Sequence, residues 1–149
     1  MGEMISVLGA MSAAAVEKVT ALEDEVLKHP QIDLVTEHAF HAGMYARTIM
    51  LPKGVILTGA LIRIPTILVF NGDAVVYRDD GAVRITGHNV MLGSAGRKQA
   101  FLAVENTHLT MLFPTKATTV EEAEAEFTDD TEMLMSRKED ATNRIVMEA

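Results

Sequence analysis

The sequence predicts a mainly β domain, a sandwich or jelly roll, with an N-terminal helix before it and a C-terminal helical arm after it. Three observations carry that prediction. Between Asp33 and Thr115 short β-branched runs alternate with turn residues, and no helical periodicity interrupts them. Before Pro30 and after Pro114 the chain reads as helix instead. A length of 149 residues suits one domain with a sizeable core and is short for two.

From Ser12 to Lys28, Ala15, Val16, Val19, Leu22, Val26 and Leu27 recur at helical spacing. Ser12 is placed to cap the start, and Pro30 ends the helix by disfavouring helical geometry at His29. The His29 imidazole is placed to cap free carbonyls there. The predicted strands are residues 34–38, 44–51, 55–63, 67–70, 74–78, 83–86, 89–92, 99–104 and 108–113. Asn71-Gly72 predicts a two-residue hairpin, because both residue types accept positive φ cheaply. Asp79-Asp80-Gly81 predicts another turn; it lacks the further acids that a calcium loop needs. Beyond Pro114, Thr119 and Glu122 form a capping box, with Glu122 placed to reach the Thr119 amide. Ser136 and Glu139 repeat the pattern ahead of Ile145, Val146 and Met147, which predicts a final helix ordered only by contact. The organisation is therefore an arm at 1–30, a barrel at 31–115 and an acidic arm at 116–149.

Composition narrows the function classes. The net charge is −8, yet residues 31–115 carry six acids against seven bases, while residues 116–149 carry ten acids against four bases. A nearly neutral body with an acidic arm argues against direct nucleic-acid binding, which needs a basic patch. The longest apolar run, near residues 64–70, is far too short to span a bilayer. The N-terminal stretch lacks the basic cluster of a signal peptide and reads as the start of a helix. The absence of cysteine excludes disulfides and thiolate metal sites and fits assembly in the cytosol.

The residues from Leu51 to Gly72 have the skeleton of a cupin's first motif. Pro52-Lys53-Gly54 opens a strand, and Gly59 sits where the barrel wall needs a small residue. Further landmarks follow in order: Gly43-Met44-Tyr45-Ala46-Arg47, Thr58-Gly59, Ser94-Ala95-Gly96-Arg97-Lys98, Glu105-Asn106-Thr107 and Pro114-Thr115. Over residues 19–115 the chain resembles small cupin-like proteins encoded by tailed bacteriophages and prophages. The resemblance implies a cupin-like jelly roll, that is, a double-stranded β-helix barrel. A metal-binding cupin brings imidazoles and a carboxylate together inside the barrel. Here Ile62 and Thr66 stand at the first motif's histidine positions, Gln99 falls near the second motif's histidine, and Phe113 replaces the histidine before Pro114. No cofactor is therefore expected.

Tyr45 and Arg47, on alternate positions of one strand, are candidates for a polar feature at the cavity mouth. Arg97 and Lys98, after Gly96, are candidates for an anion site, weighed against a surface turn paired with neighbouring acids. A rearranged metal site from His38, His108 and Glu105 is the weaker alternative. The expected function is non-enzymatic: a capsid decoration, cement or tail-associated subunit of a phage particle. The alternative is a cupin that binds or converts a small molecule. The first reading implies a homo-oligomer in contact with other virion proteins, such as the major capsid or a tail protein. It places the protein in the virion or host cytoplasm, away from membranes. The methionines near the two ends, among them Met1, Met4, Met11, Met133, Met135 and Met147, add adaptable contact surface.

Overall fold

The structure is a computed structural model that describes residues 7–147; Met1 and Met4 lie outside them. It is a β barrel built from β1 (Val7–Leu8), β2 (Thr36–His41), β3 (Met44–Leu51), β4 (Ile56–Thr58), β5 (Thr66–Arg78), β6 (Gly81–Gly93), β7 (Ala100–Ala103), β8 (Thr107–Pro114) and β9 (Asn143–Met147). Helix α1 (Ala13–Val26) precedes β2, and α2 (Val120–Phe127) follows β8. One sheet runs β1-β6-β5-β8-β3-β2-β9, while β7 joins the distal half of β5 and carries β4. β5 thus serves two walls: its residues 67–71 pair with β8, and its residues 74–77 pair with β7.

The change of partner occurs at Gly72, and this corrects the predicted Asn71-Gly72 hairpin. Both residues lie inside one long strand, which bends there against Thr107. A Cβ on Gly72 would stand 2.5 Å from Thr107 Oγ1, so no side chain fits. The predicted strands 67–70 and 74–78 are therefore one, and so are 83–86 and 89–92. The turn expected at Asp79-Asp80 is present, and Asp79 also accepts the Ser12 N–H at 2.6 Å.

Two apolar clusters fill the interior. The larger holds Leu51, Leu68, Phe70, Val76, Ile85 and Met91 between the barrel walls. The second joins Phe40, Tyr45 and Phe113 of the barrel to Val120, Ala123 and Phe127 of α2. Helix α2 of the C-terminal arm is thus packed on its own barrel.

Both helices start as read. Ser12 Oγ accepts from Ala15 N at 3.1 Å, and Thr119 Oγ1 accepts from Glu122 N at 3.2 Å. Glu122 meets the Thr119 hydroxyl rather than its amide. At the end of α1 the carbonyls of Val26 and His29 are taken by Gln31 Nε2, not by the His29 imidazole. The predicted final helix is replaced by two short 3-10 turns, Thr131–Met133 and Met135–Arg137, and by β9, which pairs in parallel with β2. β-branched Ile145 and Val146 suit a strand, and β2 offered an open edge. No helix among the described residues is long and apolar enough to cross a membrane.

Candidate functional site

A cavity of about 470 Å³ opens at one end of the barrel, between the C-terminal end of α1, β4 and residues 133–138. Its wall is mostly apolar, with Ile49, Val55, Leu57, Leu68, Leu109 and Met111 among the lining residues. The polar groups facing it are few and include Arg47, Glu23 and Thr58 inside and Lys138 at the C-terminal segment.

Arg47 lines the cavity and belongs to a buried cluster whose other members, Tyr45, Glu124, Ser136, Arg137 and His38, stand outside the lining. Alternation along β3 puts Tyr45 and Arg47 on one face, as the sequence predicts. Arg47 Nη1 donates to Glu124 Oε2 at 2.7 Å and to the Tyr45 hydroxyl at 3.3 Å; Nη2 donates to Ser136 Oγ at 2.9 Å. Arg137 Nε donates to Glu124 Oε1 at 2.5 Å, and the Ser136 hydroxyl also bonds Glu124. Glu124 is wholly buried. Burial pushes its carboxyl up, but the hydrogen bonds from Arg137, Ser136 and Arg47 outweigh it and hold the group below its ordinary range.

His38 extends the cluster to β9. Its Nδ1 lies 2.6 Å from Tyr45 OH and its Nε2 lies 2.7 Å from Asn143 Oδ1. Asn143 Nδ2 donates to Ser136 O, so Oδ1 is the atom facing the ring. An amide oxygen only accepts, so Nε2 carries the proton and Nδ1 accepts from the Tyr45 hydroxyl. Burial, with the nearby Arg47 charge, keeps His38 below the usual imidazole range, against the hydrogen bond it donates to Asn143 and the charges of Glu124 and Glu121. Burial likewise raises the Tyr45 phenol. The Tyr45 ring packs edge-on to Phe113, which packs edge-on to Phe127, and Arg47 Cζ sits 5.5 Å from the Phe127 centroid.

Arg97 and Lys98 are not a surface turn. Lys98 Nζ is buried between Glu23 Oε2 at 3.1 Å and the Gly59 carbonyl at 2.9 Å, tying α1 to the barrel. Arg97 is 3% exposed and donates to Ser94 O and Thr66 Oγ1, both at 2.7 Å, with no carboxylate partner among the described residues. Burial lowers its pKa to about 10, so it stays charged at neutral pH. Its guanidinium lies so close to Gly93 that a Cβ there would stand 2.5 Å from Cζ. Neither residue is available to an anion in solution.

The residues of the alternative metal site are not brought together. His38 is inside the barrel, His108 points outward opposite Met50 and Asn71, and Glu105 sits in an exposed loop beside Lys53 at 3.3 Å. The residues that sequence reasoning missed are Glu124, Ser136, Arg137, Asn143 and Glu23. Two of them carried a signal. Glu124 falls on the face of α2 that holds Val120 and Phe127, and Glu23 falls on the stripe of Ala15 and Val19. A carboxylate on the apolar face of a helix implies a buried cation opposite it.

The jelly-roll arrangement has known counterparts. Over 76% of this chain and 35% of the other, it superposes on salicylate 1,2-dioxygenase from Pseudaminobacter salicylatoxidans with a TM-score of 0.50 at 13% identity. The fold is a cupin-like jelly roll. The cupin-like barrel also matches a cupin superfamily protein from Desulfitobacterium hafniense, over 59% of this chain and 83% of that one (TM-score 0.47, 12% identity). A third match is the Cupin_2 domain of an XRE family transcriptional regulator from Enterobacter cloacae, over 56% of this chain and 99% of that one (TM-score 0.44, 13% identity). The chain spans about a third of the dioxygenase's length. No protein-family model matches the sequence, and no curated protein matches it either.

The cupin-like fold raises the question of a metal, and the side chains present do not fit one. Ile62 and Phe113 offer no donor atom. The Thr66 hydroxyl is held by Arg97, and both ring nitrogens of His38 are committed. No group of three His, Asp or Glu side chains converges among the described residues.

Proposed function

We propose that the chain is a binding protein that takes a small, mostly apolar molecule into its cupin-like barrel. The observation that supports this reading is the cavity of about 470 Å³, which lies in the range of small-molecule sites and combines an apolar wall with a few fixed polar groups. A neutral apolar fluorophore, N-phenyl-1-naphthylamine, is expected to bind with one-to-one stoichiometry and a blue-shifted emission. Val55→Trp places an indole in the cavity and is expected to abolish that binding while the far-ultraviolet spectrum stays unchanged. Equal binding by the folded variant would place the fluorophore elsewhere and reject the reading.

A second reading is that of a structural subunit of a phage particle, which contacts its own copies and other virion proteins. It is supported by an uncharged apolar row, from Val7 through Leu92 and Ile67 to Val146, on the outer face of the large sheet. Its first requirement is self-association through that face, which sedimentation measures.

A further inference from the structure

We propose that the cavity selects an amphipathic monoanion, an apolar molecule ending in one carboxylate, and that the guanidinium of Arg47 receives its headgroup. This deepens the small-molecule reading and rests on it. The first argument is charge. Two guanidiniums, Arg47 and Arg137, meet the single carboxylate Glu124, while Lys98 is matched by Glu23 and Lys138 lines the cavity as well. Of the charged side chains that line the cavity itself, Arg47 and Lys138 outnumber Glu23, which leaves one positive charge in excess in a chain whose net charge is −8. A cleft of one sign with low-dielectric walls concentrates the opposite charge.

The second argument is hydrogen bonding. Arg47 has five N–H groups. Three are used: two on Nη1, by Glu124 and Tyr45, and one on Nη2, by Ser136. Ser136 Oγ also bonds the Glu124 oxygen that takes Nη1, so these partners share the end of the guanidinium. The Nε–H and the second Nη2–H remain without a partner among the described residues. Those two lie along the side edge of the fork. Arg84 presents the same edge to Asp73 in this protein, with Nε and Nη2 at 2.8 and 2.6 Å from the two carboxylate oxygens. A bidentate carboxylate fits that edge. The Arg47 side chain is only 13% exposed, so a headgroup there is largely screened from water.

The third argument is the remainder of the wall. Ile49, Leu68, Leu109 and Met111 form an apolar stretch that suits a ligand's tail and offers no polar partner to a charged group there.

Calorimetry at neutral pH with octanoate, octanol and octylammonium tests the proposal on the full chain. Octanoate is expected to bind about tenfold more tightly than octanol, and octylammonium more weakly than either. Arg47→Lys keeps a cation beside Glu124 but loses the fork; it is expected to cut the preference for octanoate over octanol about fivefold. Independently of any variant, the ¹⁵N resonance of Arg47 Nε in the natural protein is expected to shift with octanoate and not with octanol. Equal affinity for octanoate and octanol, or an unmoved Arg47 signal at saturating octanoate, overturns the proposal and leaves the cavity as a neutral apolar site. Binding of none of the three compounds removes the small-molecule reading, and this proposal with it.

Discussion

His38 shows how one side chain carries information from the barrel to the chain's end. Its neutral form accepts from Tyr45 and donates to Asn143, with Arg47, Glu124 and Glu121 as the charged groups around it. A second ring proton would turn a donor toward the Tyr45 hydroxyl, whose oxygen already receives Arg47. The folded-state pKa is lowered, so the unfolded chain binds the extra proton first. Stability from this residue is therefore complete above about pH 6.5, the unperturbed value, and falls as the pH drops below it toward the folded pKa. Glu124 behaves in the same sense at lower pH: its stabilising contribution is lost as the pH falls below about 4.3. The melting temperature is expected to decline in two stages on acidification, and His38→Gln is expected to flatten the first stage only. An identical slope between pH 6.5 and 5 in the variant would show that the imidazole does not titrate against this network.

At the scale of elements, the β2–β3 hairpin contains a local mismatch that can be measured. His41 pairs with Met44, which leaves Ala42 and Gly43 as a two-residue turn with φ of +53° and +70°. Both positions need positive φ, which glycine accepts and alanine resists. Ala42→Asn creates the preferred Asn-Gly pair and is expected to stabilise the chain by about 0.5–1 kcal/mol, raising the melting temperature by roughly 1–4 °C. A melting temperature that falls would mean that the Ala42 methyl has a packing role. The natural Asn71-Gly72 pair makes the complementary point. It satisfies every local rule for a hairpin, yet it sits in mid-strand, because Thr107 of a distant strand needs the space of a missing Cβ. The same division runs through the chain. α1, β3, β8 and the Asp79-Asp80 turn were legible because local spacing and capping determine them. The Ser136–Glu139 capping pattern was not a helix start, because the open edge of β2 and the hydrogen bonds of Asn143 and Ser136 captured that segment. The Tyr45–Arg47 half of the site was visible as alternation on one strand. Glu124 and Asn143, which come from 77 and 105 residues away to Arg47 and His38, were visible only as a helix-face pattern or not at all.

At the scale of the whole molecule, the outer face of the large sheet is the feature that the barrel does not use. Val7, Leu92, Ile67, Leu112, Ala46, Ala39 and Val146 stand in register across seven strands, each the direct partner of the next. Val90, Val69, Thr110 and Thr48 form a second row beside them. Leu92 is 57% and Val146 68% exposed. The only charges on these two rows, Glu37 and Arg144, lie 3.8 Å from each other at one corner. At about 4.8 Å per strand the face is roughly 29 Å wide, and two rows about 7 Å apart give roughly 400 Å². That is about half of the ~800 Å² per partner of a standard stable interface, the size of a weaker, concentration-dependent contact. Charge selects the occupant. Two copies at −8 each repel through their acidic surfaces, so an uncharged face is the one they can bring together, and an anionic bilayer is disfavoured for the same reason. Two such faces pack as aligned sheets about 10 Å apart, which makes a two-fold dimer. Sedimentation is expected to show a dimer at micromolar concentration. Leu92→Glu, at a position already open to solvent, is expected to give a monomer with unchanged circular dichroism. A natural chain that stays monomeric at about a hundred times that concentration would mean that the face is covered by another partner or by none, and the dimer would have to be abandoned.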